Sequence, residues 1–247
     1  MLIVANWKAY VEDLPKAKKL LAVSKRHAKK NAGDIVLAPP SPFLGALAAR
    51  NTSAIAFAAQ DVSATLGGAR TGEATAQAYA GAGAAYAIIG HSERRSAGDT
   101  DALVAQKLAL SLSHGLVPIL CVGERARDGE GRYLSFVREE LTVALEALTL
   151  KEREKVIIAY EPIWAIGKTA ADAITSDDLT EMTLYIRKVL AELVPGKRGE
   201  RFLVLYGGSV EPENARNLAE NSGIDGFLVG HASVDAHAFG ALLKNLA

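Results

Sequence analysis

The run Val-Ile-Ile-Ala-Tyr-Glu-Pro-Ile-Trp-Ala-Ile-Gly at 156–167, followed by a charged, helix-spaced stretch at 176–193, decides the fold. Its first five residues are apolar throughout, as in a strand covered on both faces; a strand with one wet face would alternate. Thr175-Ser176-Asp177-Asp178 then offers hydroxyl and carboxylate groups to the free amides of a first helical turn. Working outward, the same strand-then-helix unit is read eight times. Strands are expected at 2–7, 34–38, 54–60, 86–90, 117–122, 156–160, 202–206 and 226–229. Helices are expected at 14–30, 42–50, 73–81, 102–114, 133–148, 176–193, 212–220 and 234–246, with Pro212 suited to a first helical position.

Eight such units, joined by right-handed crossovers, predict an α/β chain that forms a single (β/α)8 barrel domain over residues 1–247. The competitor is an open, doubly wound sheet. Against it, no Gly-x-Gly-x-x-Gly pattern follows the first strand, and polar residues recur where strands end: Asn6, Lys8, Gln60, His91, Glu124 and Glu161. In a closed barrel all of these ends meet on one face. No linker or low-complexity tract divides the chain.

Lys plus Arg and Asp plus Glu both total 28, so no basic surplus points to nucleic acid or an anionic membrane, and neither partner is expected. The lone Cys121 excludes an internal disulfide and any Cys-pair zinc or redox site. The apolar run before Asn6 is too short for a signal sequence or a membrane span, so a cytoplasmic location is expected. No His or Cys cluster suggests a metal.

Four groups of residues carry possible chemistry. Glu161 ends an apolar strand and precedes an apolar segment closed by Gly167, which suits a general base beneath a lid; the bland reading is a carboxylate capping the strand or pairing at the surface. His91, between a strand and a helix start, is expected to stay neutral and donate to a carbonyl; the bland reading is a structural histidine. Gly207-Gly208-Ser209 and Gly230-His231 follow the seventh and eighth strands, where backbone amides of barrels often hold a phosphate. Lys8 would place a positive charge at the mouth, with Glu93 as a partner to hold it.

The ordered motifs Asn6-Trp7-Lys8, Ala59-Gln60-Asp61-Val62, Thr71-Gly72-Glu73, Gly90 to Arg95, Cys121-Val122-Gly123-Glu124, Tyr160 to Gly167, Tyr206 to Val210 and Phe227 to Gly230 span the whole chain. Together they resemble the triosephosphate isomerase family, itself a standard illustration of a carboxylate base paired with a neutral histidine. The resemblance implies a TIM barrel that interconverts dihydroxyacetone phosphate and D-glyceraldehyde 3-phosphate through an enediolate. Glu161 would be the base and His91 the electrophile, with Lys8 and Asn6 binding substrate and Glu93 supporting Lys8. The amides of Gly167, Ser209, Gly230 and His231 would hold phosphate, in a loop shaped by Gly207 and Gly208. No cofactor is implied. The resemblance also implies a homodimer in which Thr71 completes the neighbouring site. An isomerase of a longer sugar phosphate and a non-catalytic phosphosugar-binding protein are the alternatives.

The chain departs from that family at three places. The segment 63–70 lacks an aromatic; Lys168-Thr169 follow Gly167 directly, without an intervening Thr-Gly; and His231 stands where a second glycine is usual. The last carries a steric cost if that position needs a positive φ.

Overall fold

The computed structural model describes residues 1–28, 35–49, 51–167, 174–196 and 202–246. Eight short parallel strands close into a barrel in strict chain order: β1 (Leu2–Asn6), β2 (Ile35–Ala38), β3 (Ala56–Ala59), β4 (Tyr86–Ile89), β5 (Val117–Val122), β6 (Ile157–Tyr160), β7 (Val204–Tyr206) and β8 (Gly226–Val229). Closure comes from β1, where Ala5 registers with Leu37 of β2 on one side and Val229 of β8 on the other. The helices on the outside are α1 (Leu14–Ala28), α2 (Ser41–Ala48), α3 (Ala76–Gly81), α4 (Ser92–Ser96), α5 (Asp101–Ser113), α6 (Arg132–Glu146), α7 (Leu150–Arg153), α8 (Ser176–Leu193), α9 (Pro212–Asn221) and α10 (Ala236–Asn245).

The apolar strands bury both faces in two separate cores. Val4, Val36, Ile88, Ile119, Ile157 and Leu205 fill the barrel, while their strand neighbours Ile3, Leu37, Leu120 and Ile158 pack outward against the helices. Side chains alternate along a strand, so the inward row continues past each strand end. After Val4 comes Asn6, after Cys121 Gly123, after Ala159 Glu161, after Leu205 Gly207 and after Leu228 Gly230. The same period that fills the barrel therefore delivers two functional side chains and three glycines to its mouth.

Most differences from the expected elements lie at their ends. The helix expected at 73–81 begins only at Ala76, because Thr75 is extended and its hydroxyl accepts the Ala78 amide, while Gly72 turns at φ +89°. The helix expected from 234 begins at Ala236, because the Asp235 carboxylate caps it by accepting from His237 and Ala238. The strand expected from 202 is shortened to β7, although Phe202 remains buried. The helix start expected beside His91 is the short α4, and the short α7, defined by a Thr149–Glu152 capping box, has no counterpart among the expected elements. Parts of the expected elements at 29–30, 34 and 50 lie outside the described residues.

Candidate active site

A cavity of about 400 Å³ opens at the C-terminal end of the barrel. Asn6, Lys8, His91, Glu93 and Glu161 line it, together with Gly167, Gly207, Gly208, Ser209, Gly230 and His231. Every site residue expected from the sequence is thus brought together except Thr71, which lies exposed on the loop after β3 and does not line the cavity.

Glu161 is 3% exposed, and its carboxylate rests on the exit of β4. One oxygen accepts from the Ser92 amide at 3.1 Å; the other lies 3.2 Å from His91 Nε2. His91 is the N-cap of α4, and its Nδ1 accepts the Glu93 amide at 3.1 Å. An Nδ1 that accepts carries no proton, so the ring is the neutral tautomer with Nε2–H aimed at Glu161. The Cys121 thiol, inside the barrel beneath this pair, is pushed well above its ordinary pKa by burial and by the Glu161 charge, so it stays protonated and unreactive.

Lys8 has the only positive φ (46°) outside glycine among the described residues, a strained conformation costing on the order of 1–3 kcal/mol. Three contacts enforce it. Its ammonium donates to Glu93 at 2.7 Å, its amide donates to Asn6 Oδ1 at 3.1 Å, and its carbonyl accepts from Gln60 Nε2 at 2.9 Å. Burial raises the Glu93 carboxyl, but the hydrogen bond and charge of Lys8 outweigh it and hold the group below the ordinary carboxylate range.

Glycine is required by contact on the opposite wall. A Cβ on Gly207 would lie 2.8 Å from Glu161 Cγ, and one on Gly208 only 2.2 Å from the Tyr206 hydroxyl oxygen. His231 opens a 3₁₀ turn, His231–Val234, and its φ is not positive, so the expected steric cost does not arise. Its ring meets Tyr10 edge-on, with centroids 6.0 Å apart.

The segment after Glu161 is tied down at its start. Trp164 Nε1 and the Tyr160 hydroxyl both donate to Glu124 Oε1 at 2.8 Å, and Arg127 lies over the Trp164 ring. Ser209 Oγ donates to the Ala165 carbonyl at 3.0 Å, linking this segment to the glycine wall. The unusual stretch after Gly167 falls at 168–173, outside the described residues.

A family profile described as triosephosphate isomerase matches residues 1–246. The chain belongs to the triosephosphate isomerase family. Among curated relatives, the triosephosphate isomerase of Cupriavidus necator is 39% identical over 246 residues, covering 98% of this chain and 97% of its own. That of Thermus thermophilus is 39% identical over 247 residues, with 99% and 98% covered. That of Ralstonia nicotianae is 40% identical over 246 residues, with 98% and 96% covered. The triosephosphate isomerase family is one of enzymes, aldose–ketose isomerases, and the closed eight-stranded barrel is its fold.

Sequence reasoning missed Tyr10 and Glu211, which also line the cavity. Tyr10 lies two residues past Lys8 and Glu211 two past Ser209, so loop position was the available signal. Gln60 and Glu124 are among the strand-end polar residues, but their partners come from other strand–helix units. Among the described residues no group of three or more His, Cys, Asp or Glu could hold a metal, and no helix is long and apolar enough to cross a membrane.

Proposed function

We propose that the chain interconverts dihydroxyacetone phosphate and D-glyceraldehyde 3-phosphate, with Glu161 as the base. The observation that carries this reading is the Glu161 carboxylate 3.2 Å from a neutral His91 Nε2–H, in one cavity with the Lys8–Glu93 pair. Glu161 itself takes the His91 donor. An entering substrate carbonyl takes that donor, and the carboxylate leaves the Ser92 amide for the carbon beside the carbonyl. Glu161 removes the C1 proton of dihydroxyacetone phosphate, and the electron pair moves into the C1–C2 bond. Negative charge collects on the C2 oxygen, where His91 Nε2–H and the Lys8 ammonium stabilise it. After proton exchange between the two oxygens, Glu161 returns its proton to C2 and the aldehyde forms. No step requires a cofactor.

Phosphate is assigned to the amides of Gly167, Ser209, Gly230 and His231, and the loop of Gly207 and Gly208 leaves room for it. The minimal unit is a homodimer in which Thr71 completes the Asn6 and Lys8 environment of a second copy. Leu66, 78% exposed on the same loop, supports an interface there. The protein works in the cytoplasm as one domain over residues 1–247, with no nucleic-acid or membrane partner.

A coupled assay of glyceraldehyde 3-phosphate turnover, run on wild type, Glu161→Asp and Glu161→Gln, tests the reading. Loss of about 10²–10⁴-fold in kcat in the Gln variant is expected, with a severe loss in the Asp variant. A folded wild type without turnover would overturn it and direct attention to longer sugar phosphates.

A further inference from the structure

Behind the catalytic face lies a second glutamate as deeply buried as Glu161. Glu140 is 3% exposed and sits in the inward stripe of α6 with Val137, Leu141 and Ala144. A carboxylate in such a stripe is costly unless every oxygen has a partner. One oxygen accepts from the Gly123 amide at 2.8 Å, and the other is 3.4 Å from Arg95 Nη1. The same guanidinium donates through Nε to the Gly90 carbonyl at 2.9 Å and through Nη2 to the Cys121 carbonyl at 3.5 Å.

Both ends of this tie lead directly to the reacting groups. Gly90 is the residue before His91. Gly123 is in main-chain contact with Glu161: a Cβ there would lie 2.0 Å from the Glu161 carbonyl oxygen, and the Glu161 amide donates to Val122 at 2.8 Å. A shift of Gly123 therefore moves the backbone that carries the base, and a shift of Arg95 moves the one that carries the histidine. We propose that Glu140 is a positioning residue for the isomerisation, its carboxylate joining Gly123 to Arg95 so that the exits of β4 and β5 hold His91 and Glu161 in register. This role rests on the proposed function of those two residues.

Only the ionised carboxylate makes the full tie, and its surroundings place that ionisation where the enzyme works. Burial raises the Glu140 pKa to about 7, against the opposing pull of Arg95 on α4 and the Gly123 amide; Asp101 on α5 and Glu161 at the end of β6 raise it further. The Cys121 thiol on β5, raised by burial and by Glu161, stays neutral and adds no charge. A protonated Glu140 and a glutamine are alike: both offer a carbonyl oxygen to Gly123, and neither carries a charge for Arg95.

The test compares kcat and KM for glyceraldehyde 3-phosphate in wild type and Glu140→Gln at pH 6 and pH 8.5. Because both proteins see the same substrate, their ratio cancels the substrate's own titration. A kcat within about twofold of the variant's at pH 6 and an advantage of about tenfold for wild type at pH 8.5 are expected, with KM changed less than about twofold; a 1 Å misplacement of reacting groups costs up to about 10²-fold. A ratio that is the same at both pH values, or an effect confined to KM, overturns the role. If Glu140→Gln does not fold, Glu140→Asp serves: its carboxylate, one methylene shorter on the same helix, cannot keep both Gly123 and Arg95, so kcat falls while KM holds, and an unchanged kcat overturns the proposal. Absence of wild-type turnover overturns the isomerase reading and this role with it. Turnover lost in Glu161→Gln but insensitive to Glu140→Gln at both pH values overturns this role alone.

Discussion

The wall of the cavity built from β1, β4 and β6 and the wall built from β7 and β8 achieve their shape by opposite means. On the first, Asn6, Lys8, His91 and Glu161 are held by bonds between groups far apart in sequence, such as Lys8 to Glu93 and Glu161 to the Ser92 amide. On the second, position is set by what is missing. Gly207 and Gly208 leave space that any Cβ would fill with the Glu161 side chain or the Tyr206 hydroxyl. One wall stores strain to aim its charges, and the other gives up side chains to let a ligand reach the backbone. Substitutions on the first should therefore cost chemistry with little loss of fold, while those on the second should act through steric displacement.

The sharpest break of this contrast is Lys8→Gly. Removing the ammonium should lower kcat/KM by about 10²–10³-fold, the effect of losing one charge-stabilising donor. Stability should stay within about 1 kcal/mol of wild type, because relief of left-handed backbone strain offsets the loss of a partly exposed ion pair. The pH dependence has a defined sign. Lys8 depresses the Glu93 carboxyl, so the pair stabilises the fold above the ordinary carboxylate range and that contribution disappears as pH falls through it. Thermal melts should show a smaller acid-side decline in the variant than in wild type. A drop of several kcal/mol at neutral pH would mean that Lys8 holds the fold as well as the charge.

Gly207→Ala probes the other wall with a smaller effect. The added methyl would meet Glu161 Cγ at 2.8 Å and Oε1 at 3.4 Å, so the base must shift aside. About a tenfold fall in kcat is expected, because misplacement by a fraction of an ångström already weakens proton transfer. Steady-state kinetics check it: a change in KM alone would mean that the loop, and not the carboxylate, gave way.

The two walls also differ in how legible they were. Apolar runs on both faces of each strand announced the barrel, and polar residues where strands end, Asn6 and Glu161 among them, pointed to its mouth. The glycine pair after the seventh strand and Gly230 after the eighth were equally plain. What the sequence hid was the support behind them. Gln60 reaching the Lys8 carbonyl, Glu124 gathering Tyr160 and Trp164, and Glu140 joining Gly123 to Arg95 are contacts between separate βα units, which no local pattern encodes. Helix starts differ by three residues at Thr75 and two at Asp235, where a side chain caps a turn later than the apolar pattern suggests, whereas the Thr175 cap puts the eighth helix at Ser176 as expected.

The smallest expected effect concerns His231, a side chain that can bring positive charge to the β7–β8 wall. Its ring lies against Tyr10, and it faces the Glu211 carboxyl, which burial raises and His231 pulls back down. Lys8 approaches from the other side, its Cε 3.6 Å from where a Cβ on Gly230 would stand. A histidine is the side chain through which a site can respond to acid between pH 8 and pH 5.5, and comparison with glycine shows whether this one does so beside a bound dianion. Inorganic sulfate stays dianionic across that range and is the right probe. Its affinity should tighten by about three- to fivefold more in wild type than in His231→Gly between pH 8 and pH 5.5, as a single screened charge contributes roughly 1 kcal/mol at such distances. Parallel titrations in the two proteins would mean that His231 acts only through its amide, and that the glycine wall remains a purely backbone surface even where a side chain has been placed on it.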